Sequence, residues 1–184
     1  MIMRKYLSFF FLFILLSLDN ARAEKADSQQ PMRISAESQD YDGVKKITTY
    51  TGSVHVVKGT LIINAHRVDI TQDAAGRQYA TLYNSPGTLV NYRQKRDGGP
   101  NLWAQGEAER IEYNDSLEVV KLYSKAKLTL LEGNKPTHES AGTFISYDSR
   151  ADFISVTNTL AGVSSPGAGF TNAVIYPKPE GGHE

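Results

Sequence analysis

The 184-residue chain carries 20 Lys and Arg against 20 Asp and Glu and contains no cysteine. That balance excludes the concentrated basic surface that nucleic acid needs. The missing thiols exclude disulfide staples, cysteine metal sites and thiol catalysis.

In chain order, Arg4 and Lys5 precede an unbroken apolar run from Tyr6 to Leu18, and Ala21-Arg22-Ala23 closes the segment. A positive end, a short apolar middle and a small-residue site are the order of a cleavable signal peptide, here residues 1–23. The run falls short of the roughly 20 residues a membrane helix needs, which makes a retained anchor the weaker reading. Removing Arg4, Lys5, Arg22 and Asp19 leaves 17 basic and 19 acidic residues in a chain the size of one ordinary domain. Four of the seven Phe go with that segment, so the core must come mainly from Val, Ile, Leu and Tyr.

From Met32 onward, short runs rich in β-branched and aromatic residues follow one another. Examples are Val54-His55-Val56, Val68-Asp69-Ile70, Ile111-Glu112-Tyr113, Ala126 to Leu130 and Ile145-Ser146-Tyr147. Turn signals separate them at Asp42-Gly43, Lys58-Gly59, Ser85-Pro86-Gly87, Asp97 to Pro100, Asn114-Asp115, Gly133-Asn134 and Asp148-Ser149. No long segment shows helical periodicity, so the fold class is all-β, with many short antiparallel strands. A weak repeat runs through them: a small residue, two others, a middle residue, one other, then Tyr or Ile. It occurs at Ala36 to Tyr41, Ala65 to Ile70, Ala108 to Tyr113 and Gly142 to Tyr147. Such units bury their apolar faces against their neighbours, and the unequal spacing argues for loops of unequal length. Beyond Gly162 the alternation gives way to Ser, Pro and Gly, so residues 162–184 read as a disordered tail and 24–161 as the folded domain.

Catalytic motifs return a blank: the sequence has no G-x-S-x-G, no H-E-x-x-H and no G-K-[ST]. His55 and His66 alternate with apolar residues and so point to solvent, with no carboxylate at ligand spacing to complete a metal site. Glu107 and Glu109 share one strand face, whereas glycoside chemistry needs carboxylates facing each other across a cleft. Arg93-Gln94-Lys95-Arg96 could touch phosphate, but a charged hairpin end accounts for it more simply. A neutral β module without catalytic groups is either a filled sandwich or a curved sheet holding something apolar, and composition does not separate the two.

Three stretches carry a resemblance: Gln30 to Ser38, then Tyr50 to Val68, then Ser85 through Ala108 to Tyr113. Together they resemble the lipopolysaccharide transport proteins of the LptA (OstA-like) family, in which a T-G-N-V strand, a glycine turn and an I-x-A-x-x-V strand recur. The likeness covers about residues 30–155. Ser53 stands where the family often has Asn, and Ser124 where Gly is expected, which puts the local turn geometry in question. The resemblance implies a twisted, open β-jellyroll in the periplasm whose interior carries the acyl chains of lipopolysaccharide, without a cofactor. It also implies head-to-tail self-association, with an LptC-like inner-membrane protein at one end, an LptD-like outer-membrane protein at the other, and energy from an ATPase elsewhere.

Joining that implication to the alternation, we expect the lipid-lining residues to be Met32, Ile34, Val54, Val56, Ile63, Val68, Ile70, Leu89, Ile111, Tyr113, Leu128 and Leu130. The expected partner-binding edges are Met32, Arg33, Ile34 and Ser35 at one end and Phe153, Ile154, Ser155 and Val156 at the other, because an unpaired strand is a template for another. Two rival classes stay open: an LptC-like protein that retains its N-terminal helix, and an exported hydrolase with a cleft at Glu107.

Overall fold

The computed structural model describes residue 27 and residues 29–177. The proposed signal peptide lies outside the described residues. Twelve strands follow Met32. The first six are β1 Arg33–Ser35, β2 Ser38–Asp42, β3 Ile47–Lys58, β4 Leu61–Gln72, β5 Gln78–Tyr83 and β6 Val90–Lys95. The other six are β7 Leu102–Ala108, β8 Arg110–Asn114, β9 Val119–Glu132, β10 Lys135–Asp148, β11 Phe153–Thr157 and β12 Asn172–Ile175. All pairings are antiparallel.

The pairings sort into two facing rows. One runs β2, the start of β3, the end of β4, β5, β8, the start of β9, the end of β10, β11. The other runs β1, the end of β3, the start of β4, β6, β7, the end of β9, the start of β10, β12. The long strands therefore pass from one row to the other halfway along. They do so at irregularities: the β3 register shifts between Thr51 and Val54, and the β10 register between Gly142 and Phe144. A bulge bends a strand and adds twist, which is what a corner requires. Gly52 and Ser53 turn at φ 83° and 45°, and Ser124 and Lys125 at 62° and 52°. The question raised over Ser53 and Ser124 is thereby answered: both sit in left-handed corners, where glycine or asparagine is favoured.

Inward side chains from both rows form one apolar core, including Val54, Ile63, Val68, Leu82, Tyr92, Ile111, Leu122, Leu128 and Ile145. The four repeat units are real but pair off in twos. Units one and three are β2 and β8 with their approaches, and units two and four lie in β4 and β10. Each runs into a turn that closes on a left-handed residue: Lys46, Gly76, Glu118 and Asp152.

The tail departs from expectation. Residues 172–175 pair with His138 to Ala141 of β10. The intervening loop is organised by Asn158, whose amide donates to the Ser165 and Gly169 carbonyls, each at 2.9 Å, and accepts from Ser165 N–H at 2.9 Å. Four residues are too few to show alternation, and backbone pairing requires none. The turn-rich composition describes only the loop.

Candidate lipid-binding interior and open edges

Seven of the twelve expected lining residues, Val54, Val56, Ile63, Val68, Ile111, Tyr113 and Leu128, are buried in the core. Met32, Ile34, Ile70 and Leu130 are half-buried against it. Leu89 is also half-buried but stands apart from these. It lies in the connection before β6, outside the core cluster, and Val90 takes the inward position. The strand begins at Val90, and the Leu89 carbonyl before it accepts from the Asn84 and Asn91 amides at 2.7 and 3.2 Å.

Most of the interior is closed by its own side chains. It opens at the β1 end, where Met32, Ile34, Gln39, Thr48, Tyr50, Ile70 and Gln78 line a cleft of about 290 Å³. Three of these were expected lining residues. Tyr50 was not, although its alternation with Thr48 on β3 carried the signal. Polar groups also face inward. The Tyr92 hydroxyl donates to Gln94 Oε1 at 2.8 Å within the core, so Gln94 belongs to the interior and not to a phosphate-binding hairpin end. Toward β12, His138 Nε2 and Ser140 Oγ lie 2.9 Å apart, opposite Leu130 and Leu128. Nothing in a local window marks His138, because its inward position follows from the β10 register shift beside Pro136.

The side of the molecule away from the corners is where turns of the two rows meet, and ion pairs join them there. Lys58, the last residue of β3 in one row, bonds Asp115 in the β8–β9 turn of the other; the lysine side chain is only 6% exposed. Arg96, after β6, grips Asp152 in the β10–β11 turn with two hydrogen bonds, one of 3.0 Å through Nε. The Tyr147 hydroxyl donates to the same carboxylate at 3.2 Å. Burial pushes the Arg96 pKa down, but the hydrogen bond and charge of Asp152 outweigh it and leave the guanidinium above its ordinary value. Burial also raises the Tyr113 hydroxyl and the Glu118 carboxyl beside this seam.

The outer face is ordinary solvated sheet. His55 and His66 are both exposed there, His55 Nδ1 lying 2.7 Å from Asn64 Oδ1. Glu109 pairs with Lys125 at 2.8 Å, and Glu107 lies opposite Lys127. Glu107 lines a depression of about 160 Å³ with Gln105, Gly106, Lys127 and Thr129, and no second carboxylate faces it there, whereas glycoside chemistry needs two. Among the described residues no three His, Cys, Asp or Glu side chains are grouped to hold a metal, and no helix is long and apolar enough to cross a membrane.

The expected edges lie at the two ends of the sheet, whose order runs β1-β3-β4-β5-β8-β9-β10-β11. Phe153 is 63% exposed, while Ile154 and Val156 turn toward the core. An apolar interior running between two rows, with a strand edge at each end, defines a class of protein: an open, antiparallel β-jellyroll.

Comparison with known proteins places the chain within that class. The family model described as LptA/(LptD N-terminal domain) LPS transport protein matches residues 33–153, and the chain belongs to this family. Among relatives, the lipopolysaccharide export system protein LptA of Haemophilus influenzae is 29% identical over 135 residues, 73% of this chain and 74% of that protein. Its Escherichia coli K12 counterpart is 30% identical over 116 residues, covering 62% of this chain and 60% of that protein. LptH of Pseudomonas aeruginosa is 29% identical over 159 residues, 86% of each. The crystal structure of LptH, titled as the LptA homologous periplasmic component of the lipopolysaccharide transport device, superposes with a TM-score of 0.69. It is 25% identical and covers 83% of this chain and 99% of that one.

Proposed function

We propose that this protein is a periplasmic carrier that shelters the acyl chains of lipopolysaccharide between its two rows and bridges the inner and outer membranes by strand pairing at β1 and β11. The observation that carries this reading is the single apolar core, with a cleft beside Met32, Ile34 and Ile70 at an edge of the sheet. An exposed acyl methylene costs about 0.8 kcal/mol, so a dozen carbons in water cost on the order of 10 kcal/mol. A lipid crossing an aqueous compartment therefore needs such a lining. Because the interior is packed with side chains, cargo enters by parting the rows, and the seam ion pairs Lys58–Asp115 and Arg96–Asp152 set the resistance. The carrier works passively, with energy supplied by an inner-membrane ATPase. Its partners are an LptC-like protein on one side and an LptD-like protein on the other. Removal of residues 1–23 on export frees the domain from the inner membrane.

Lipopolysaccharide should co-purify with the mature protein and be lost from Ile34→Asp, whose half-buried position tolerates the charge, but not from Leu89→Asp. A folded mature protein that never carries lipopolysaccharide would refute the reading.

A further inference from the structure

The cleft at the β1 end has two unlike walls. On one row Met32 and Ile34 continue the apolar face of Val54 and Val56, with Ile34 paired to Val56. On the other row the register sets Gln39 opposite Tyr50 and Thr48 opposite Ile70, and Gln78 stands two residues before Ala80, the partner of Ile70. A strand repeats its face every second residue, so Gln39, Thr48 and Gln78 look inward with Tyr50 and Ile70. All three line the cleft, and among the described residues lining it none is charged. No hydrogen bond within the described residues engages the side chain of Gln39, Thr48 or Gln78. Depth is graded as well. Gln39 and Gln78 are exposed at the rim, Thr48 and Ile70 are half-buried, and Val68 and Leu82 beyond them are fully buried.

The chemistry of that wall narrows what it recognises. An anionic group calls for Arg or Lys, and Arg33, which alternates with Met32 and Ile34, belongs to the outer face. A primary amide offers donors and an acceptor, and a threonine hydroxyl both donates and accepts. The matching ligand group is neutral and does both, which describes a hydroxyl; an ester only accepts. Resting on the carrier reading above, we infer that this cleft is a specificity site, in which Gln39, Thr48 and Gln78 select acyl chains bearing a hydroxyl near their head over plain acyl chains. The hydroxyl bonds at the shallow, polar wall while the hydrocarbon lies along Met32, Ile34 and Ile70 toward the core. A plain chain that covers Thr48 strips it of water and returns no hydrogen bond, whereas a hydroxylated chain returns one. A site built to bond a hydroxyl rejects the analogue that lacks it. Phospholipid acyl chains, which carry no such hydroxyl, are thereby disfavoured as cargo.

Two acids with the same carboxylate head, myristic acid and β-hydroxymyristic acid, isolate the hydroxyl. Each is titrated into the mature protein loaded with the apolar dye N-phenylnaphthylamine, and loss of dye fluorescence is read. The hydroxylated acid should displace the dye at a concentration roughly three- to tenfold lower, the worth of one hydrogen bond. With no charge in the cleft, that preference should be the same at low and high salt. In the triple variant Gln39→Leu, Thr48→Val, Gln78→Leu the two acids should become equal, with myristic acid bound at least as tightly as before. Thr48→Val alone is close to isosteric and suits a strand; it should already reduce the preference without lowering the melting temperature. Equal displacement from the unaltered protein, a preference abolished by salt, or a preference that survives in either variant would overturn the proposal and leave the carrier reading standing. Displacement by neither acid, from a protein that also co-purifies without lipopolysaccharide, would overturn both.

Discussion

Ser124 holds a left-handed conformation, φ 62°, at the β9 corner. An L-residue there costs roughly 1–2 kcal/mol, and glycine gives back part of that relief as chain entropy. Ser124→Gly should therefore raise the unfolding free energy by roughly 0.5–1 kcal/mol in urea titration. Glu118 illustrates burial acting on charge. Desolvation raises its carboxyl pKa above the ordinary value despite Arg150 and Lys58 nearby. With the folded pKa above the unfolded one, the folded state holds the extra proton between the two values. The contribution to stability is then fullest at low pH and is lost as pH rises through the folded pKa. Glu118→Gln should accordingly be the more stable protein at neutral pH, with the difference shrinking to nothing in acid; a melting series across pH checks this.

Among the elements, alternation decides most of the cost of a truncation. Leu82 on β5 is fully buried, and Leu82→Ala should cost about 2–5 kcal/mol. Leu89, one connection further on and outside the core, should cost no more than about 1 kcal/mol on the same change. Chemical denaturation of the pair tests whether Val90 and not Leu89 begins the inward phase of β6. The strands were legible because β-branched residues at every second position have one physical use, a pleated half-buried surface. The phase at Leu89-Val90 was not legible, since two adjacent apolar residues fit either face. Strand β12 escaped for a different reason: its four residues are all exposed and are held by backbone pairing alone.

At the scale of the whole molecule, the rows are joined along a seam whose ion pairs link residues far apart in the chain. Lys58 is nearly buried, and leaving it unpaired in Asp115→Ala should cost on the order of 3 kcal/mol. Arg96→Met should be milder, because Asp152 is 51% exposed and water takes over its solvation. Its expected signature is local: faster amide exchange in the turns around Arg96 and Asp152, unchanged protection in the centres of β4 and β9, and quicker uptake of lipopolysaccharide. Unchanged exchange in both turns would show that this pair does not hold the rows together.

The amino-acid pattern by itself determined an all-β domain, most of its inward residues and one strand at each end of the sheet, all of which follow from local rules, the two-residue period of a strand and the chemistry of turns. The family it resembles came from matched motifs and not from those rules. Tertiary structure alone decided that the strands form two facing rows, that Gln94 and His138 face inward, and that Lys58 and Arg96 close a seam. It also decided that the tail returns to the sheet. Each of these depends on register between segments distant in sequence, where one bulge reverses the face of every residue beyond it.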